Sequence, residues 1–422
     1  MNLMRDTTIT VAGRLFSTGA AALSAVIVAT ALGAKGAGTF ALVRVLPTVL
    51  AGLLGAGVTS ANAWLVGGKR YPVQAVTETT LAIGLAIGGV AWVGWAFAAE
   101  LLQARFYTEL SVGMVLLIGF LLPLNLLRDY LNSIQQGLRT FKGANVVICA
   151  DDLVALVILL PLLLGAGGPR LIVVAIVAGV ATSCLFATAL LWRQGIRPRP
   201  RAHRAIAGET MRFGMKSHVG RIADLLNWRL DIMILSTLSS VEIVGYYAVA
   251  TKVAELLRPV SASLTFVLRP LIASLPISEA RAQGVVLYRR FFALNLAGVA
   301  ILAFIGGPLI VHVFGREFAA AVPAFEILLI GLAAQGADGV LNGYNVGIGR
   351  PEFNSYTALV ALVVTVAGDV AFIPVYGLMG AAAVSAAAYT VKAATLATIF
   401  LSTSGVTVPE LLGVKEYGAD IA

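Results

Sequence analysis

The chain is dominated by apolar runs of twenty residues and more, and this feature most narrows what it can fold into. A helix needs about 20 apolar residues to cross the hydrocarbon of a bilayer. Twelve such runs can be drawn. The first six are Thr8 to Ala31, Gly38 to Val66, Val76 to Ala99, Ser111 to Gln136, Ala144 to Leu164 and Leu171 to Trp192. The second six are His218 to Leu238, Val244 to Leu268, Phe291 to Phe314, Pro323 to Val346, Phe353 to Val375 and Met379 to Leu401. Strands of a membrane barrel would be about 10 residues long and alternate in polarity; these runs do neither. The expected fold is therefore all-α and integral to the membrane. Only 12% of the 422 residues are charged, against 59% hydrophobic. Soluble domains carry about 25% charged residues, so no soluble domain is left over. The first run is too long for the apolar core of a signal peptide, and eleven similar runs follow it.

The net charge of +9 follows the loops. With the N-terminus placed in the cytosol, eighteen Lys and Arg fall in cytosolic segments, and only Lys35, Arg105, Arg170 and Arg316 fall outside. Basic residues concentrate on the cytosolic side of polytopic proteins, so both termini are expected there. Cys149 and Cys184 both lie in apolar stretches, which argues against a structural disulfide.

The basic connection Arg193 to Ser217 contains Arg-Pro-Arg-Pro-Arg at Arg197 to Arg201. Proline there stops a helix and favours an extended link. It divides the chain into an N-lobe (1–192), a cytosolic linker (193–217), a C-lobe (218–401) and a short cytosolic tail (402–422). The halves carry signs of repetition. Gly13-Arg14 opens the first run and Gly220-Arg221 the seventh; Gly38-Thr39-Phe40-Ala41 opens the second and Gly245-Tyr246-Tyr247-Ala248 the eighth, at the same offset. Six spans per half give both halves the same orientation, the arrangement of parallel repeats.

Charges within the spans carry the functional signal, because each costs on the order of 3 kcal/mol at membrane depth. The cations are Arg14, Arg44, Arg128, Arg221, Arg229, Lys252, Arg258 and Lys392. The acids are Asp129, Asp151, Asp152, Asp224, Asp231, Glu255, Asp338 and Asp369. Such groups must line a wet cavity or pair with one another. Helical spacing favours a cavity: Arg221, Asp224, Trp228 and Asp231 share one face of the seventh run, and Gln335, Asp338, Asn342 and Asn345 one face of the tenth. Lys252, Glu255 and Pro259 do the same on the eighth, with Arg258 beside them. The plainer alternative is pairing along a face, Asp224 with Arg221 or Glu255 with Lys252. No nucleotide-binding, zinc-protease or serine-hydrolase motif competes. The histidines His203, His218 and His312 are scattered, so no metal site and no catalytic residue are expected.

Several segments carry a family resemblance. Arg229-Leu230-Asp231, then Val244-Gly245-Tyr246-Tyr247-Ala248, then Lys252-Val253-Ala254-Glu255 resemble the seventh and eighth helices of Wzx-type polysaccharide flippases of the multidrug/oligosaccharidyl-lipid/polysaccharide (MOP) transporter superfamily. Gly55-Ala-Gly57-Val-Thr-Ser-Ala61 resembles the end of that family's second helix. Gln136-Gly137-Leu-Arg139 leading to Asn145, and Gly347-Ile-Gly349-Arg350 leading to Asn354, resemble its inner turns. The resemblance implies about twelve transmembrane helices in two six-helix lobes around a central cavity, a fold shared with MATE exporters. It implies a non-enzymatic flippase in the bacterial inner membrane, moving a polyprenyl-diphosphate-linked oligosaccharide outward by alternating access for cell-surface polysaccharide assembly.

On this reading Arg14, Arg221, Arg229, Lys252 and Arg258 are the candidates for the diphosphate, since Arg suits phosphate through its fork of donors. Gln335, Asn342 and Asn345 are candidates for sugar hydroxyls. Asp224, Asp231 and Asp338 are candidates for taking a proton or Na⁺; no other cofactor is expected. Expected partners are the lipid-linked glycan, membrane lipids and polymerases or glycosyltransferases of the same pathway, with no nucleic acid. Two other readings compete. A cation-coupled drug or metabolite exporter of the same fold would favour acids over bases in its spans, where the two are balanced. A membrane polymerase or ligase would need a sizeable outer loop, and the outer loops are short.

Overall fold

A computed structural model describes residues 3–138, 140–257, 272 and 275–413; the side chains of 3–11, 14, 141, 216 and 217 lie outside the description. Every regular element among these residues is a helix. Eight helices are long and apolar enough to cross a membrane. Two of them are double. Leu15–Leu54 belongs to α1 (Leu3–Leu54), which is broken at Gly33 by a left-handed φ of 66°, and Glu352–Ser404 is broken at Gly377 with φ 52°. L-residues avoid that region, so glycine marks both breaks. These are the expected joints between the first and second runs and between the eleventh and twelfth. The eighth expected run, Val244 to Leu268, passes beyond the described residues after 257.

The chain divides into two compact units. The first holds Met1–Leu225 and Ser239–Gly245. In it α1 is followed by α2 (Val58–Gly67), α3 (Val73–Phe97), α4 (Ala99–Phe106), α5 (Val112–Gly119), α6 (Leu121–Gly137), α7 (Phe141–Leu159), α8 (Pro169–Arg193) and most of α9 (Arg204–Asn227). Helix α7 packs against both α1 and α8, and α6 against α2 and α3. An apolar core of Leu65, Val76, Ile134, Val147, Leu191 and Ile206 ties these helices together at the end where the 194–203 connection crosses.

That connection is extended and pinned to α3. Gln74 donates to the Arg197 carbonyl at 2.6 Å and accepts from the Arg197 N–H at 2.8 Å; the His203 ring lies 2.9 Å from Glu78. Helix resumes at Arg204, ahead of the His218 drawn from hydropathy. The reason is local: Pro198 and Pro200 prevent helix only near themselves, while residues 204–217 contain no proline but are too polar to be read as a span. Glu209 in this turn lies 3.4 Å from Arg70 and accepts from the Tyr71 hydroxyl at 2.7 Å.

The repeat-related glycines Gly38 and Gly245 mark a backbone crossing within this unit. A Cβ on Gly38 would lie 1.9 Å from the Val241 carbonyl oxygen, and one on Gly245 would lie 2.0 Å from that of Ala34. Only glycine permits such an approach.

The second unit holds Leu226–Leu238 and Tyr246–Ala422. It contains α10 (Leu230–Leu238), most of α11 (Val241–Ala254), α12 (Ile277–Phe314), α13 (Val322–Ala334), α14 (Asp338–Gly347), α15 (Glu352–Ser404) and a short α16 (Val408–Leu412). Helix α15 packs against α10 and α13. Tyr344 and Phe400 meet edge to face at 4.9 Å within a core that includes Val285, Leu341 and Leu396. Phe97, Leu164, Phe304 and Val375 are among the large apolar side chains left exposed, as lipid-facing surfaces require.

Candidate functional site

Two polar clusters are buried among these apolar helices, one in each unit. In the first unit the second half of α1 supplies Arg44, α6 supplies Arg128 and Asp129, and α7 supplies Asp151 and Asp152. Arg44 Nη2 lies 2.8 Å from Asp152, which also accepts from the Ser17 hydroxyl. Arg128 Nη1 lies 2.6 Å from Asp151, and its Nη2 lies 3.0 Å from Asp129. Arg44 also sits over the Phe40 ring at 5.2 Å. These groups border a cavity of about 310 Å³, whose wall includes Thr48, Asn125 and Asn132. Gly179 on α8 lets α7 come close: a Cβ there would lie 2.5 Å from the Asp151 carbonyl oxygen.

The second unit holds a tighter cluster. Asp231 is 2% exposed and accepts three hydrogen bonds: from the Tyr247 hydroxyl at 2.5 Å, from Ser385 at 3.0 Å and from the Ile232 N–H at 2.7 Å. Asn227, one turn earlier, donates to the Ala358 carbonyl and accepts from Thr365 at 3.1 Å. Asp369, one turn beyond Thr365, is fully buried, and neither carboxylate oxygen has a hydrogen-bond partner among the described residues. It lies within electrostatic range of Asp231. Burying a carboxylate without a partner is costly, which sets Asp369 apart from the hydrogen-bonded Asp231.

The nominated residues fall in different settings. Arg221 and Asp224 are exposed, and Arg221 donates to Thr59. Asp231 is buried, and the seventh run is interrupted at 228–229 between α9 and α10, so no single continuous helix carries Arg221, Asp224, Trp228 and Asp231. Arg229 lies 3.5 Å from Glu255, and Lys252 is half-buried. Gln335 sits in a 3₁₀ turn ahead of α14. Asp338 and Asn342 are half-buried, and Asn345 is fully buried and donates to Asn354 at 2.9 Å. The Arg14 side chain and Arg258 lie outside the described residues. Arg44, Arg128, Asp151, Asp152 and Asp369 entered the sequence reading only as charges within spans.

A family profile described as polysaccharide biosynthesis protein matches residues 27–323. The chain belongs to that family. No curated protein sequence matches it. Among solved structures, the fold is similar to lipid II flippase MurJ in an inward closed conformation, with TM-score 0.77 at 14% identity over 96% of this chain and 90% of that one. An inward-facing multidrug resistance MATE-family transporter of the MOP superfamily gives TM-score 0.76 at 16% identity, over 92% and 94%. A MOP superfamily transporter from Pyrococcus furiosus gives 0.69 at 15%, over 97% and 95%. At these identities the likeness is one of fold: this polysaccharide biosynthesis family member is a multi-pass membrane protein, helical in every regular element among its described residues, with a fold like that of these transporters.

Proposed function

We propose that the chain is a flippase that carries a polyprenyl-diphosphate-linked oligosaccharide from the cytosolic to the outer leaflet of a bacterial inner membrane, by alternating access. The observation that carries this reading is the combination of a polysaccharide biosynthesis family match with a transporter fold. A polysaccharide pathway that assembles its units on a lipid must move a polar head through about 30 Å of hydrocarbon. Apolar helices that bring arginine, aspartate and asparagine around one cavity supply polar surroundings of the kind such a head requires. The diphosphate falls to the cationic residues Arg221, Arg229 and Lys252, with Arg14 and Arg258.

The buried acids of the second unit supply the coupling in this reading. Asp231 and Asp369 lie in electrostatic range, and among the described residues Asp369 has no hydrogen-bond donor to balance it. A proton or Na⁺ bound between inward and outward states would do so, linking an ion gradient to transport.

The test is reconstitution in vesicles loaded with a fluorescent or radiolabelled lipid-linked oligosaccharide. Protein-dependent exposure of the sugar to a membrane-impermeant lectin supports the reading. Export of cationic dyes with no movement of the lipid would replace it with drug export.

A further inference from the structure

The geometry points to the charged cavity of the first unit as a subsite for one sugar ring of the substrate head, selective for an amino sugar over a uronic acid or the diphosphate. This deepens the flippase reading and rests on it. Its size is the first observation. At about 310 Å³ the cavity is at the lower end of ligand pockets, which run from about 300 to 1,000 Å³. That is room for a single ring. Its mixed wall is the second. Leu121, Ile148, Ile176 and Val180 are apolar while Asn125, Asn132 and the carboxylates are polar, the mixture that the C–H and O–H groups of a pyranose call for.

Charge chooses among sugars. Both guanidiniums of the described wall are already held by carboxylates: Arg44 by Asp152, Arg128 by Asp151 and Asp129. Three carboxylates face two guanidiniums, so the described wall carries an excess of one negative charge. A phosphate or uronate would have to displace a carboxylate at 2.6–3.0 Å and then face that excess. The acceptors left over point the same way. Asn132 is 8% exposed and its Oδ1 has no hydrogen-bond partner among the described residues. The Asp129 side chain is 51% exposed and has oxygen lone pairs that Arg128 does not use. Hydroxyls and an ammonium group donate to such atoms; a carboxylate cannot.

The experiment uses the full chain in lipid nanodiscs, with glucosamine, N-acetylglucosamine and glucuronate as probes and saturation-transfer NMR as the readout. Glucosamine is expected to bind more tightly than N-acetylglucosamine, and glucuronate least. Asp129→Asn, which keeps the side chain's size at a half-exposed position, is expected to reduce the glucosamine preference about tenfold, as loss of one charge-assisted contact predicts. Glucuronate binding as tightly as glucosamine, a preference unchanged in Asp129→Asn, or no saturable binding up to the solubility limit would each overturn the proposal. So would Na⁺ binding that depends on Asp129 without any sugar binding, which would make the cavity a cation site. Lipid-linked oligosaccharide transport is measured in parallel. Transport without monosaccharide selectivity removes the subsite and leaves the flippase; selectivity without transport does the reverse.

Discussion

Asp369 is the residue whose surroundings say most, because both its oxygens are buried without a hydrogen bond among the described residues. If it and Asp231 hold a proton or Na⁺, binding stabilises the folded state by about 2.7 kcal/mol at a hundredfold excess over Kd. Thermal unfolding in detergent is therefore expected to shift upward with Na⁺ or with falling pH, and Asp369→Asn is expected to abolish the shift while folding normally. A shift of unchanged size in that variant would end the coupling role. Arg44 makes the contrasting case, since its partner is known. Arg44→Gln leaves Asp152 with Ser17 alone, and breaking a largely buried pair costs about 2–4 kcal/mol after allowance for partial exposure. Arg44→Gln is expected to lower the unfolding temperature, and adding Asp152→Asn to recover much of the loss; a double variant whose loss is the sum of the two single losses would show that the pair contributes nothing. Sequence phase located Asp231 because it falls in a polar run, but it gave no reason to prefer Asp369, which stands alone in an apolar helix. Likewise Arg44, Arg128, Asp151 and Asp152 come from three helices, each contributing one or two of them. Their meeting is a property of packing between helices, and helical periodicity carries no information about it.

Glycine sets how closely the helices pack. On α8, a Cβ at Gly179 would meet the Asp151 carbonyl at 2.5 Å, whereas at Gly89 on α3 it would meet nothing within 4 Å. The two alanine variants are expected to diverge. Gly89→Ala gains about 1 kcal/mol from helix propensity alone, and Gly179→Ala loses stability and shifts the Arg128–Asp151 pair, both read as unfolding temperature in the same detergent. Similar values for the two would mean that α7 and α8 are not in the contact described. Much at this scale was legible from the chain. Apolar length gave the spans, and Gly33 and Gly377 fall where their joints were expected. What hydropathy could not give was the extent of α9. Its first half, Arg204 to Ser217, is helical without being apolar, held by contacts from Glu209 to Arg70 and Tyr71 that are distant in sequence. The break at 228–229 was hidden for the converse reason: no proline or glycine marks it.

At the scale of the whole molecule, the orientation in the membrane rests on loop charge, and it can be checked directly. Eighteen basic residues fall on the side assigned to the cytosol and four on the other, and a bias of that size sets the insertion of polytopic proteins. Arg197 and Arg316 are expected on opposite sides. Both are exposed, so a cysteine at either will meet a reagent that reaches its side. Arg197 lies in the extended connection, where its backbone bonds to Gln74 and its side chain takes no part in those bonds. Arg316 opens a 3₁₀ turn between α12 and α13. The background must lack Cys149 and Cys184, which are part-buried and bond to the Gly13 and Leu124 carbonyls. Replacing each by alanine or serine removes only a weak sulfur contact, so the background is expected to fold. In intact cells an impermeant maleimide is expected to label Arg316→Cys and to leave Arg197→Cys unlabelled until the membrane is opened. The opposite pattern would invert the molecule, put the basic connection outside and turn the proposed export into import. Labelling of both from outside would mean that an even number of spans separates them, where the expected count between residues 197 and 316 is three, and would require the eighth run to be redrawn.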